Sequence, residues 1–163
     1  MEVSEAEAGV IKLKHEAVRL AEVAAEVGEI YGYAAEAKGV TLSVKIESDI
    51  KISCDRARVR QALGNLVDNA VKYSPAGTTV SILLAAEGGD AVFRVADQGP
   101  GIPAMDLPHI WDRLYRGDAS RHKKGLGLGL SLVRAVALAH GGNAAVDSKP
   151  GEGSVFTLRI PAA

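Results

Sequence analysis

Two runs of alternating apolar residues, 80–84 and 91–96, flank Glu87-Gly88-Gly89-Asp90, and this pairing constrains the fold more than any other part of the chain. Alternation on both sides of a Gly-Gly turn dictates an antiparallel hairpin with one face toward a core. Upstream, Leu20, Ala24, Val27, Tyr31 and Ala34 recur at steps of three and four. They predict one buried stripe on a helix from about residue 13 to 38, ended by Gly39. Leu42, Val44 and Ile46 then alternate as a strand, and a short strand follows around residues 50–53. Asp55 stands at the start of a second helix whose stripe is Val59, Leu63, Leu66 and Ala70, closed by Ser74-Pro75-Ala76-Gly77. A third helix is expected over about 128–140, stopped by Gly141-Gly142. Strands near 144–147 and 155–160 lie on either side of Lys149-Pro150-Gly151-Glu152-Gly153. The predicted fold is a two-layer α/β sandwich, with three main helices on one face of a mixed, mainly antiparallel sheet.

At 163 residues the chain suits a single domain with a real core, and its 47% hydrophobic and 24% charged residues are those of a folded protein. A formal net charge of −1 gives no global attraction to nucleic acid or acidic lipid. Charge is concentrated locally instead, where Arg113, Arg116, Arg121, Lys123 and Lys124 crowd a glycine-rich stretch suited to a polyanionic small ligand. Cys54 is the only cysteine, which excludes an internal disulfide and a cysteine-rich metal site. No segment approaches the roughly 20 apolar residues of a membrane helix, and the Met-Glu-Val-Ser-Glu start lacks a signal pattern. The chain as given is expected to be cytoplasmic, without direct membrane insertion.

Three groups of residues carry chemistry. Asn65, Asn69 and Lys72 stand at steps of four and three on the second helix, hence on one face. An asparagine oxygen can coordinate magnesium and an ammonium can approach phosphate, although the same residues also read as a solvated helix face. Asp97, in Asp97-Gln98-Gly99-Pro100-Gly101, ends an alternating apolar run. Its partly buried carboxylate needs a donor, which either an adenine amine or the amides of a tight turn would supply. Gly125-Leu126-Gly127-Leu128-Gly129-Leu130 opens a helix after a long connection, and its bare amides can converge on phosphate oxygens. It follows no strand and has no lysine placed as in a Walker phosphate loop, so it fails the context of both that loop and a dinucleotide fingerprint. The connection from 99 to 124, with a short helical piece near 107–114, reads as a functional lid anchored by Trp111 and Tyr115.

The histidines offer less. His15 is expected exposed on the first helix, and His109, His122 and His140 lack metal-ligand spacing. No nucleophile-base-acid set surrounds Ser131 or Ser154.

In order and spacing, these segments resemble the histidine kinase branch of the ATPase superfamily that also includes gyrase, the Hsp90 chaperones and MutL. An asparagine box runs from Asp55 to Ser74, a first glycine box from Asp97 to Gly101 and an aromatic box from Ile110 to Asp118. A second glycine box spans Gly125 to Leu130, and Gly151-Glu152-Gly153-Ser154-Val155-Phe156 is similar to a last one. The resemblance covers residues from about 18 to 161. It implies that Asn69 ligates the magnesium bridging the ATP phosphates, with Asn65 and Lys72 on the phosphate side. By the same resemblance Asp97 accepts from adenine N6, Gly99 and Gly101 shape the base pocket, and Tyr73 borders the nucleotide. Arg116 would reach the phosphates from a mobile ATP lid, while Gly125, Gly127, Leu128 and Gly129 would wrap the phosphate tail.

Hydrolytic members of that superfamily carry a water-activating glutamate four residues before the metal-binding asparagine; Asn65 occupies that position here. This favours transfer to a protein histidine over hydrolysis, because phosphoryl transfer otherwise needs mainly positioning and charge neutralisation. The long lid also argues against the compact anti-sigma serine kinases. Trp111 stands where phenylalanine is usual, Leu114 where a second aromatic is, and Leu126 replaces a small or hydroxylated residue. His15-Glu16 lacks the downstream proline of a phosphoacceptor box. Residues 1–17 therefore read as a linker remnant and 18–163 as the catalytic domain of a larger, membrane-bound kinase. The expected partners are a separate helical hairpin bearing the acceptor histidine and, indirectly, a response regulator; as given, the chain would be a monomer or weak dimer. A non-catalytic, nucleotide-binding regulatory module is the competing expectation.

Overall fold

The computed structural model describes residues 11–112 and 129–162. Its elements are β1 (Glu16–Arg19), α1 (Leu20–Lys38), β2 (Thr41–Ile46), β3 (Lys51–Cys54), α2 (Arg56–Tyr73), β4 (Thr79–Glu87) and β5 (Asp90–Asp97). A 3-10 turn (Leu107–His109), α3 (Gly129–Ala139), β6 (Asn143–Lys149) and β7 (Gly153–Pro161) complete the order. Five strands form one sheet in the order β2-β4-β5-β7-β6, and β1 pairs with β3 in a separate ribbon. Only the β2–β4 pair of the large sheet is parallel. The helices pack on that sheet, α1 against β2 and β4, α2 against β4 and β5, and α3 against β6 and β7. The expected two-layer sandwich is the observed one.

Local signals explain most boundaries. The hairpin closes with Glu87 opposite Asp90, and Gly88 and Gly89 sit at φ 59° and 85°, the left-handed pair that a two-residue turn requires. Asp55 is extended and its carboxylate accepts from the Arg58 amide at 3.1 Å, capping α2. Val59, Leu63, Leu66 and Ala70 are buried as their spacing predicts. They meet Ile82, Leu84, Phe93, Phe156 and Leu158 in one core, onto which Trp111 packs edge-to-face against Phe156, with centroids 5.9 Å apart.

The first helix is shorter than its pattern suggests. Residues 16–19 form β1, with Val18 opposite Ile52, and the Leu20 amide donates to the Ile50 carbonyl at 2.9 Å. Val18 and Leu20 are both buried while Ala17 and Arg19 are exposed, so a period of two wins here because β3 supplies a ladder partner. His15 consequently lies outside any helix. Along α1 the stripe also shifts, with Ala35 buried and Ala34 exposed. The piece expected over 107–114 is a 3-10 turn in its described part, and residues 113 and 114 lie outside the described residues. No helix among the described residues is long and apolar enough to cross a membrane.

Candidate functional site

The site is built on α2, whose apolar stripe presses on the sheet and turns its other face outward. Asn65 and Asn69 are half-buried on that face and Lys72 is exposed. The Asn65 amide donates to the carbonyl of Gly129 at 3.2 Å, tying the middle of α2 to the first residue of α3. Lys72 pairs with Asp68 one turn back at 3.1 Å. Asn69 has no side-chain hydrogen-bond partner among the described residues. An asparagine in mid-helix costs helix propensity, and no hydrogen bond among the described residues offsets that cost.

The second wall is the turn after β5. Asp97 lies opposite Ser154 of β7, and its Oδ1 accepts from the Gly99 amide at 2.9 Å. Burial pushes its carboxyl up from the ordinary range, while backbone amides of Gly99 and Ser154 pull it back. A Cβ on Gly99 would lie 2.7 Å from the Tyr73 carbonyl, so this turn is in close contact with the last residue of α2. Gly101, at φ 76°, approaches the Lys149 carbonyl, which a Cβ would meet at 2.1 Å. The two asparagines and the Asp97 turn are thus held by one helix, Asn65 and Asn69 along its length and the turn against its end.

Three further residues position this turn, and sequence reasoning assigned them no role. The Ser148 hydroxyl accepts from the Ile102 amide at 2.8 Å and bonds the Ser154 hydroxyl at 2.7 Å. Gln98 accepts from the Thr79 amide at 2.7 Å, locking the turn to the start of β4. Gly153, at φ 90°, leaves room for the Asp97 carbonyl, which a Cβ would meet at 2.2 Å. Gln98 and Gly153 lie in the first and last glycine boxes, which were the available signals for them; nothing local marked Ser148.

Tyr73 is half-buried at the end of α2, and Gly129 is exposed at the start of α3. Arg116, Gly125, Gly127 and Leu128, with Leu114, Tyr115 and Leu126, lie outside the described residues. A cleft of about 350 Å³ between α1 and α2, lined by Tyr31, Arg58, Gln61 and Asn65 among others, adjoins the polar face of α2 at Asn65. No three or more His, Cys, Asp or Glu side chains converge on a metal position among the described residues. Cys54 is buried and its thiol is pushed up to about 11, mainly by that burial, so it is a poor nucleophile.

Residues 54–163, well over half of the chain, match the family described as histidine kinase-, DNA gyrase B-, and HSP90-like ATPase. The chain belongs to this ATPase family. Its relatives within the family place it in the histidine kinase branch. Sensor-like histidine kinase SenX3 of Mycobacterium tuberculosis is 40% identical over 131 residues, 79% of this chain and 32% of that protein. The histidine kinase ATPase domain described here therefore spans about a third of the length of that relative. Among solved structures, full-length ShkA in complex with AMPPNP superimposes with a TM-score of 0.89 at 30% identity, over 99% of this chain and 34% of that one. The mycobacterial sensor histidine kinase MprB gives 0.79 at 29%, covering 91% of this chain and 97% of that one.

Proposed function

We propose that this histidine kinase ATPase domain binds ATP with magnesium across α2 and the Asp97 turn, and donates the γ-phosphoryl group to a histidine on a phosphoacceptor helical hairpin. The observation that carries the reading is Asn69, half-buried on the face shared with Asn65 and Lys72 and without a partner there. Its amide oxygen is a hard donor suited to magnesium, and with no carboxylate cluster among the described residues the ion would draw its other ligands from phosphate and water. When bound, magnesium neutralises charge on the phosphates.

The chain's own residues do the rest by positioning. Asp97 presents an acceptor oxygen for the adenine amine, Gly99 and Gly101 bring backbone close to the base, and Tyr73 borders it. Lys72 exchanges Asp68 for a phosphate oxygen. Gly129 and, beyond the described residues, Gly125, Gly127 and Leu128 supply amides to the phosphate tail, with Arg116 reaching in from the lid. Asn65 stands where a water-activating carboxylate would be needed for hydrolysis. Neither its amide nor Asn69 can take a proton from water, so the γ-phosphoryl is held for an incoming imidazole, itself a nucleophile. Residues 18–163 form the catalytic domain in this reading, on the cytoplasmic side of a longer membrane-bound kinase that answers to a response regulator.

Calorimetry with magnesium and ATP tests the site: Asn69→Ala and Asp97→Ala remain folded and lose binding, and unchanged affinity in both would sink the assignment. Adding a histidine-bearing hairpin and assaying acid-labile, base-stable phosphate tests the transfer. Binding without transfer would leave a regulatory nucleotide module.

A further inference from the structure

We propose that Lys38, at the end of α1, is a positioning residue that fixes the nucleotide end of α2; the inference rests on the nucleotide reading above. The last carbonyls of a helix have no intrahelical donor and must find partners elsewhere. In α2 the Ala70 carbonyl accepts from the Ser74 amide at 3.1 Å and the Ser74 hydroxyl at 2.7 Å. The next two carbonyls are served from another helix. Lys38 Nζ donates to the Val71 carbonyl at 2.8 Å and also to the Lys72 carbonyl. A cation at this end also opposes the negative pole of the helix dipole.

Lys38 is delivered there by backbone, not by chance of a long side chain. Gly39 turns the chain in the left-handed region at φ 79°, and its carbonyl accepts from the Gly77 amide at 2.8 Å. The Thr41 amide donates to the Thr78 carbonyl at 3.0 Å, so the end of α1 is stitched to the turn that follows α2. The ammonium therefore holds the two residues immediately before Tyr73. Tyr73 in turn abuts Gly99, whose amide binds Asp97. A continuous path runs from Lys38 through the end of α2 to the carboxylate assigned to the base, and Lys38 acts along that path. It also lies outside residues 54–163, the stretch matched to the family.

The test compares Lys38→Met, Lys38→Gln and Lys38→Arg with the unmodified protein, by magnesium-ATP titration at a temperature where each is fully folded. Charge-assisted bonds to two carbonyls place the expected loss for Lys38→Met at about tenfold in Kd. Lys38→Arg, which keeps charge and donors, should recover to within about threefold. Amide exchange at Ser74 and Gly99 in nucleotide-free Lys38→Met should be faster than in the unmodified protein. A lower melting temperature with unchanged Kd and unchanged exchange would overturn the inference, leaving Lys38 a stabilising cap only. If Lys38→Met does not fold, Lys38→Gln carries the same comparison. Absence of ATP binding by the unmodified protein would instead overturn the nucleotide reading, and this inference with it.

Discussion

The carbonyl oxygen of Tyr73 lies 2.7 Å from the point where a Cβ on Gly99 would stand. Both partners are backbone, so neither can swing aside. Gly99→Ala should therefore lower stability by about 1–3 kcal/mol and weaken nucleotide binding with it. Gly101→Ala should cost more, because its Cβ would meet the Lys149 carbonyl at 2.1 Å from a backbone at φ 76°. Gly151, at φ 80° with open space around it, is the control: alanine there should cost only about 1 kcal/mol of backbone strain. Urea unfolding of the three variants checks the order.

Asn69→Ala separates stability from function. The side chain has no partner among the described residues, and alanine is the better helix former by about half a kcal/mol. The variant should melt at or slightly above the temperature of the unmodified protein while losing magnesium-dependent ATP affinity. A clear drop in melting temperature would mean that Asn69 is structural.

Asp97 is a half-buried carboxyl whose folded-state pKa is raised, its partial burial being the first cause. Such a group stabilises the fold while protonated and loses that contribution as pH rises through its folded pKa. Its ionised form is thus a cost at neutral pH. Asp97→Asn keeps an oxygen for the Gly99 amide and removes the charge. It should leave the neutral-pH melting temperature unchanged or higher and flatten its dependence on pH as pH rises above 3.8, the ordinary carboxyl value. Nucleotide affinity should fall, since the amide places a donor where the proposed adenine contact needs an acceptor; circular dichroism melts and calorimetry read the two effects separately.

His140 gives the opposite pH dependence. Its Nε2 accepts from the Asp55 amide at 3.1 Å and its Nδ1 donates to the Val136 carbonyl at 2.8 Å, a pattern only the neutral ring satisfies. Burial is the largest cause and lowers its pKa from 6.5; the Val136 hydrogen bond opposes it, and smaller contributions come from His15 at 6.0 Å, which lowers it, and Asp55, which raises it. The unfolded chain then takes a proton that the folded one refuses. This contribution to stability is full above pH 6.5 and declines as pH falls toward the depressed folded pKa. Melting temperature followed from pH 8 to 5 should drop less in His140→Gln than in the unmodified protein, and equal slopes would assign the loss to other groups.

Helical period and strand alternation are local, so the shared face of Asn65, Asn69 and Lys72, the place of Asp55 at the start of α2 and the hairpin over residues 80–96 were legible along the chain. Ordered boxes at fixed intervals added the family. The rest lies in contacts between distant segments. Whether residues 16–19 are helix or strand depended on β3 arriving to pair with them. Lys38 and Lys72 are 34 residues apart, and His140 and Asp55 are 85 apart. The Gly99–Tyr73 contact likewise needs the turn after β5 brought against the end of α2. A helix end or a turn advertises its unpaired backbone groups in the sequence, but which distant side chain satisfies them is fixed by packing, and no periodicity along the chain encodes it.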